Sequence, residues 1–598
     1  MIKPTKIREI DLKPYQTHFL FQSDSLLTSK GIEKLLKELP KVIDDGLEDE
    51  DDRSEILAQG LPRVIAKDEQ IAWLAYSKRV KVRWAAGPDA PKDIEHHLVV
   101  LTARSSLLSV VATDKSLAAK LTRGGSGKEW KTLHRVSFSR LERALVSGNT
   151  RTLWLSGIHR SVATKADSKV LIGPDVEASL DALGDQSYQY TSTRCAGPKA
   201  LPASFVGVTP RMAKVWLGPS ADWEVFVANS QRLLQLIESP GAKKEIPYPV
   251  LARAEGSLKD VKDAFDVSLA PPEYLYDEDP DLIAELENLL HQATWTVQGG
   301  SGADCILALK LADRVHNFKI EVRAEGGRIQ HTVTPREKEA SPEVEKIAEL
   351  LGRADLLKVF YDSLHTYSDG QVFEVKTRPF LFPVKDEDFS KFEITLEKPR
   401  PAGKTEGLDL SRIGVAGEPS LFTWVWQHYK QGWLWCDDGS GEIADFIHLD
   451  SGHSTLSLIH VKAANSSSTT RGISVSAYEV VCSQALKNLR YTERRELEQP
   501  LREKIESADA KIVRGWHNGK ALPLKSTALW SAINKVRYSD LTRRVVIVQP
   551  HVRKSLLPAN LAANSSPARQ ARLLYTLLHG IKADIDRYGV EFEVVVDK

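Results

Sequence analysis

The stretch CDDGSGEIADFIHLDSGHSTLSLIHVKAA, Cys436 to Ala464, decides how the C-terminal part of this chain reads. Two apolar runs, ADFIHL and LSLIHVKA, flank a small polar turn, DSGHS, and this pattern predicts a β-hairpin. Side chains alternate between the two faces of a strand. Asp445, Ile447 and Leu449 therefore share a face, as do Leu456, Leu458, His460 and Lys462 on the next strand. The hairpin brings Asp445, at the start of one strand, close to His460 and Lys462, at the end of the other. An acid, an imidazole and an ammonium are expected together at one sheet edge.

Such a cluster suits phosphodiester hydrolysis. Asp445 offers hard oxygen atoms to Mg2+ or Mn2+. A bound ion orients a water, lowers its pKa and offsets charge that builds on the phosphate. Lys462 can orient the attacking water or neutralise the transferring phosphate. One carboxylate alone holds such an ion poorly, so Glu442, three residues earlier, is the candidate second acid. His460 is a further candidate ligand through a ring nitrogen. The expected catalytic set is Asp445, His460, Lys462 and Glu442, with Asp445, Glu442 and His460 as the metal ligands.

The flanking elements extend the pattern. LEKPRPAGKTEGLDL (396–410) has two prolines and two glycines and reads as a linker. Beyond it, SLFTWVWQHYK (420–430) predicts a helix. GWLWCDD and the two quoted runs predict three strands, and ISVSAYEVVCSQALKNLRY (473–491) predicts a long helix. RRVVIVQP, ARQARLLYTLLHGIKADIDRYG and EFEVVVD then predict strand, helix and strand. The order is α, β-meander, α, β, α, β.

With Asp445 and Lys462 placed in that order, residues 410–598 resemble the PD-(D/E)XK nuclease superfamily, the restriction-endonuclease-like fold. The pattern here is D-x14-H-V-K, and His460 stands where the superfamily usually carries an acid. The combination GSGEIADFI followed by LIHVKA is similar to nuclease modules that accompany helicases in bacterial phage-defence loci. The resemblance implies an αβββαβ core and Mg2+- or Mn2+-dependent cleavage of DNA in an anti-phage setting. It also suggests a separate helicase or ATPase as partner. Exonuclease-like branches carry Q-x3-Y on the helix after the third strand. Here Gln484 is followed by Asn488, and Tyr491 is out of place, so a polar helix face explains these residues as well.

Charge is distributed unevenly. From Arg471 to the C-terminus there are 22 Lys and Arg against 13 Asp and Glu. The whole chain is only +1, so the first 470 residues are net acidic. A basic segment on an acidic body is the asymmetry that a phosphate backbone favours. Gln484, Arg490, Arg494, Arg495 and Arg471 are the candidate nucleic-acid contacts. A solvated helix paired to Glu493, Glu496 and Glu498 is the alternative for the arginines. SSSTTRG (466–472) is a polar loop beside the expected site.

At 598 residues several domains are expected. The chain reads as a multidomain α/β and α+β protein. An N-terminal α+β domain spans 1–240, a middle α+β domain 241–400 and a linker 401–410. The nuclease-like domain spans 411–598. Residues 31–45, 221–237, 280–294 and 341–364 read as helices. TRGGSGKEW (122–130) fails the phosphate-loop pattern at Thr122 and Glu129, and there is no HExxH or GxSxG. The sequence therefore offers no ATPase, zinc-protease or serine-hydrolase constellation. The four cysteines have no zinc spacing and suit reduced thiols. There is no apolar N-terminal segment and no run of about 20 apolar residues, so a cytoplasmic protein without a membrane segment is expected. Two other readings stay open: a catalytically silent nucleic-acid-binding module, and an assembly subunit that joins a motor protein or its own copy.

Overall fold

The computed structural model describes the chain apart from residues 1–6, 46–52, 83, 86–89, 123–126, 202–204, 241–246, 271–279, 326–327, 440, 509–511 and 513. Most of the acidic run DDGLEDEDDRSE (44–55), which reads as a solvated loop, the centre of the 122–130 stretch, the start of KKEIPYPVLAR (243–253), which reads as a boundary, and the Gly-Gly turn expected at 326–327 lie outside the described residues. The protein is mixed α+β, with eleven α-helices among the described residues. It divides into two compact units, 1–180 with 185–376 and 181–184 with 377–598. None of the helices described is long and apolar enough to cross a membrane.

The first unit is dominated by antiparallel sheets of eleven, five and four strands. The stretches EQIAWLAYSKRVKVRWAA and IEHHLVVLTARSSLLSVVA read as mixed helix and strand, and the structure has three strands there, Glu69–Lys81, Lys92–Arg104 and Leu107–Ala112. The helix expected over 341–364 stops at Leu351. Leu357–Tyr361 is instead a strand whose five residues are all buried. The sequence LKVFY there is β-branched and aromatic, and it packs better on a pleated surface than on a helix. No division falls near residue 240, and this unit runs to Lys376.

The second unit carries the decisive hairpin. Its elements in chain order are β1 (Lys385–Glu387), α1 (Leu421–His428), β2 (Trp433–Cys436), β3 (Phe446–Asp450), β4 (Thr455–Val461), α2 (Ser476–Asn488) and α3 (Arg494–Ser507). Then come β5 (Gly515–His517), β6 (Lys520–Ala521), α4 (Ala528–Lys535), β7 (Thr542–Arg553), α5 (Ser566–Asp586) and β8 (Glu591–Asp597). They form one sheet in the order β1-β8-β7-β4-β3-β2-β5-β6. The β2–β3–β4 meander is antiparallel, whereas β7 runs parallel to both β4 and β8.

Both faces of this sheet are covered, which is why its central strands read as continuous apolar runs. Phe446, Ile459, Val461, Val546 and Val548 pack on one face against Leu421, Phe422 and Val425 of α1. On the other face Ile447, Leu449, Leu456 and Leu458 pack against α3 and α4. Val545, Ile547, Val594 and Val596 pack there against α2 and α5.

Two boundaries differ from the sequence reading. The unit starts at Thr377. The stretch taken as a linker is fastened to it, because Leu410 and Ile413 join Phe389 and Ile394 in the core under α1. The prolines and glycines there mark turns, while Leu396 and Leu410 on either side of them are buried. In addition, α3, β5, β6 and α4 are inserted between α2 and β7.

Candidate active site

The loop between β2 and β3 builds the polar end of the sheet. Register runs Cys436↔Phe446, so residues 437–445 form one hairpin connection. The Asp437 N–H donates to the Asp445 carbonyl at 3.0 Å. The Asp437 carboxylate in turn accepts the Ile443 N–H at 2.7 Å. Gly441 sits at φ 68, a left-handed conformation that favours glycine. The loop is thus folded back by its own first acid, and this fold aims the remaining acids at one another.

Asp438, Glu442 and Asp445 each place a carboxylate oxygen within 4.8 Å of the others. Asp438 and Asp445 are buried and Glu442 is half-buried. The Asp445 carboxylate accepts the Val461 N–H at the end of β4, 2.8 Å away. Burial pushes the Asp445 carboxyl up to about 8, and the charges of Glu442 and Glu397 push the same way. Burial likewise pushes Asp437 up to about 6. Like charges held together out of water favour the protonated acid or a bound cation.

Supporting residues surround this group. Gln484 of α2 donates its amide to the Glu442 carboxylate at 3.3 Å, and Asn488 donates to the Glu442 carbonyl at 3.1 Å. Lys398 pairs with Asp438 at 2.5 Å. Burial opposes the charge on Lys398, but its bond to Asp438 and the nearby Glu397 and Asp445 outweigh that and raise its pKa. Arg514 donates to the Asp438 carbonyl at 2.9 Å. Lys462 lies just past β4, with its ammonium 3.1 Å from the Glu397 carboxylate.

Of the residues expected at the site, Asp445 and Glu442 come together, with Gln484 bonded to Glu442. His460 does not join them. It lies fully inside the unit, 2% exposed, and its Nε2 has no hydrogen-bond partner. Burial pushes its imidazole down to about 4, and the neighbouring Lys487 ammonium adds to this. Strand alternation carries His460 with Leu456 and Leu458 under the helices.

The basic candidates separate. Arg471 is buried and spent internally. It bonds the carbonyls of Ser468, Pro550 and His551 and pairs with Asp597 at 2.5 Å. It therefore ties the 466–472 loop to β7 and β8 and is not available as a nucleic-acid contact. Arg494 donates to the Val536 carbonyl at 3.1 Å and so fastens α3 to the residue after α4. Arg490 is exposed and lies over the Tyr491 ring, 4.7 Å from its centre. Arg495 is exposed on the first turn of α3.

Sequence reasoning missed Asp437, Asp438, Glu397 and Lys398. The two aspartates were in view but read as the tail of a strand. The acid-dense string DDGSGE after a buried strand was the available signal. Glu397 and Lys398 gave none, because their segment reads as a linker and reaches the site only through tertiary packing. No family model matches this chain, and neither does any curated protein or solved structure.

Proposed function

We propose that residues 377–598 form a metal-dependent nuclease that hydrolyses phosphodiester bonds of DNA. The observation that carries this reading is the three-carboxylate group Asp438, Glu442 and Asp445, at the end of the strand next to the one that leads into Lys462. The helix, β-meander, helix, strand order supports a restriction-endonuclease-like core, in keeping with the resemblance of this stretch to the PD-(D/E)XK superfamily. The carboxylate donors are hard oxygens and fit Mg2+ or Mn2+. The raised pKa of Asp445 marks a site that favours a cation or a proton. A bound divalent ion would activate water and offset phosphate charge.

The chain's own residues do the rest. Asp438, Glu442 and Asp445 would hold the ion. Gln484 and Asn488 fix Glu442, and the β4 backbone fixes Asp445. Lys462 would place its ammonium against the scissile phosphate. The exposed Arg490 and Arg495 would track the backbone of DNA. We further read the chain as an effector of a bacterial anti-phage system that works with a separate helicase or ATPase, its first unit serving recognition or assembly. Supercoiled plasmid incubated with Mg2+ or Mn2+ tests the nuclease. Nicking or linearisation is expected, with its loss in EDTA and in Asp445→Ala and Lys462→Ala. Full activity in both variants removes the assignment.

A silent nucleic-acid-binding module is the second reading. It is favoured by one observation, the burial of His460 outside the three-carboxylate group, at the position where the superfamily carries an acid. It predicts salt-sensitive DNA binding with no cleavage in any divalent ion.

A further inference from the structure

We propose that Glu397 is the positioning residue for Lys462, held there by a segment outside the helix, meander, helix order. The proposal rests on the nuclease reading above. Residues 394–397 are pinned by three backbone hydrogen bonds from two elements. The Ile394 carbonyl accepts the Ala464 N–H at 2.7 Å, just beyond β4. The Leu396 and Glu397 carbonyls accept the Leu421 and Phe422 N–H groups at 2.9 and 3.0 Å, at the start of α1. Those N–H groups have no partner within the helix and fall to an outside acceptor. Leu396 is itself buried.

This anchoring sets the Glu397 side chain between two cations and the strand end. One carboxylate oxygen lies 3.1 Å from the Lys462 ammonium. The same oxygen accepts the Ala463 N–H at 3.3 Å. The other lies 3.7 Å from Lys398, which pairs with Asp438. Glu397 also acts electrostatically on Asp445. A chain of contacts thus runs from Lys462 through Glu397 and Lys398 to Asp438.

The residue two before Lys462 cannot do this work. His460 is buried, and the charged group that acts on it is Lys487 rather than any acid of the site. Lys462 is long, flexible and 43% exposed, so without a partner its ammonium would sample many positions. Glu397, at 18% exposed, is the fixed member of the pair. Glu397 does not belong to the three-carboxylate group, so its part is to orient the lysine rather than to bind a cation.

The experiment uses the full chain as wild type, Glu397→Gln, Glu397→Asp, Lys462→Ala and the Glu397→Gln/Lys462→Ala double variant. The rate at which a small amine-acylating reagent modifies Lys462 is read by mass spectrometry. Release of the ammonium in Glu397→Gln should raise that rate about three-fold, the scale of a partly exposed ion pair, and Glu397→Asp should restore it. An unchanged rate in a Glu397→Gln protein with wild-type melting temperature overturns the proposal. This readout needs no cleavage, so it stands even if no variant cuts DNA and the nuclease reading itself falls. Where cleavage is measured, Glu397→Gln should lower kcat about 10- to 100-fold at constant KM, the usual effect of losing an orienting partner. It should cost nothing further once Lys462 is alanine. An additive loss in the double variant, or weakened Mn2+ binding by Glu397→Gln, overturns the positioning role.

Discussion

Asp445 and His460 stand at the same end of one strand pair, and they make an instructive contrast. Asp445 immediately precedes β3, and His460 is the last residue but one of β4. Both are buried and both have displaced pKa values. Asp445 is shifted up among other carboxylates and has a backbone donor. His460 is shifted down inside an apolar layer, with an orphaned nitrogen. Burial alone therefore does not mark a functional group. The company of like charges, which an ion would relieve, separates the two.

The largest expected effect follows from that difference. Asp445→Ala should lower Mn2+-dependent cleavage on the order of 10³-fold or more, whereas His460→Leu should leave it near wild type. A plasmid assay on both proteins checks this, and equal losses would break the contrast.

Next in size is Arg471, buried like Asp445 but committed to structure. Arg471→Ala leaves Asp597 without its main partner and removes the side-chain donor from the Pro550 and His551 carbonyls, while the Ser468 carbonyl keeps the backbone N–H of residue 471. A stability loss of about 3–5 kcal/mol is expected in urea denaturation, the scale for breaking a buried pair. A DNA-binding defect without a stability change would reverse this assignment.

The pH response sharpens the contrast further. The folded pKa of Asp445, about 8, lies above the ordinary carboxylate value. The folded protein thus keeps a proton that the unfolded chain releases, and stability is lost as pH rises from about 4 toward 8. The slope is at most about 1.4 kcal/mol per pH unit. His460 behaves oppositely. Its folded pKa, about 4, lies below the imidazole value, so its contribution is lost as pH falls from about 6.5 toward 4. Between pH 6.5 and 8 the Asp445 slope is the one left of the two. It should be present in the EDTA-treated wild type and absent in Asp445→Asn, as read by melting temperature. Cation binding displaces the same proton, so Mn2+ affinity should rise with pH over that window.

The smallest expected change is at His460 itself. His460→Leu removes a buried polar atom that has no partner, so stability should change by no more than about 1 kcal/mol, and upward. A large loss would mean the imidazole is bonded.

Much of this was legible in the sequence. The alternation of FIHL and LSLIHV, the turn between them and the apolar run RRVVIVQP placed the meander and the strands and helices that follow it, though not the four elements inserted before β7. The same local pattern placed Asp445 at a strand end, because burial and strand period are properties of neighbouring residues. It could not place Glu397 or Lys398, which lie some 50 residues from the hairpin and reach it through backbone bonds to α1 and the end of β4. Nor could it separate His460 from Asp445, or Arg471 from Arg495. In each pair the residue types predict the same chemistry, and the difference lies in what the third dimension packs around them. The sequence determined which charged groups would stand at the strand ends. The tertiary structure decided which of them meet, since desolvation and pairing depend on distance through space rather than along the chain.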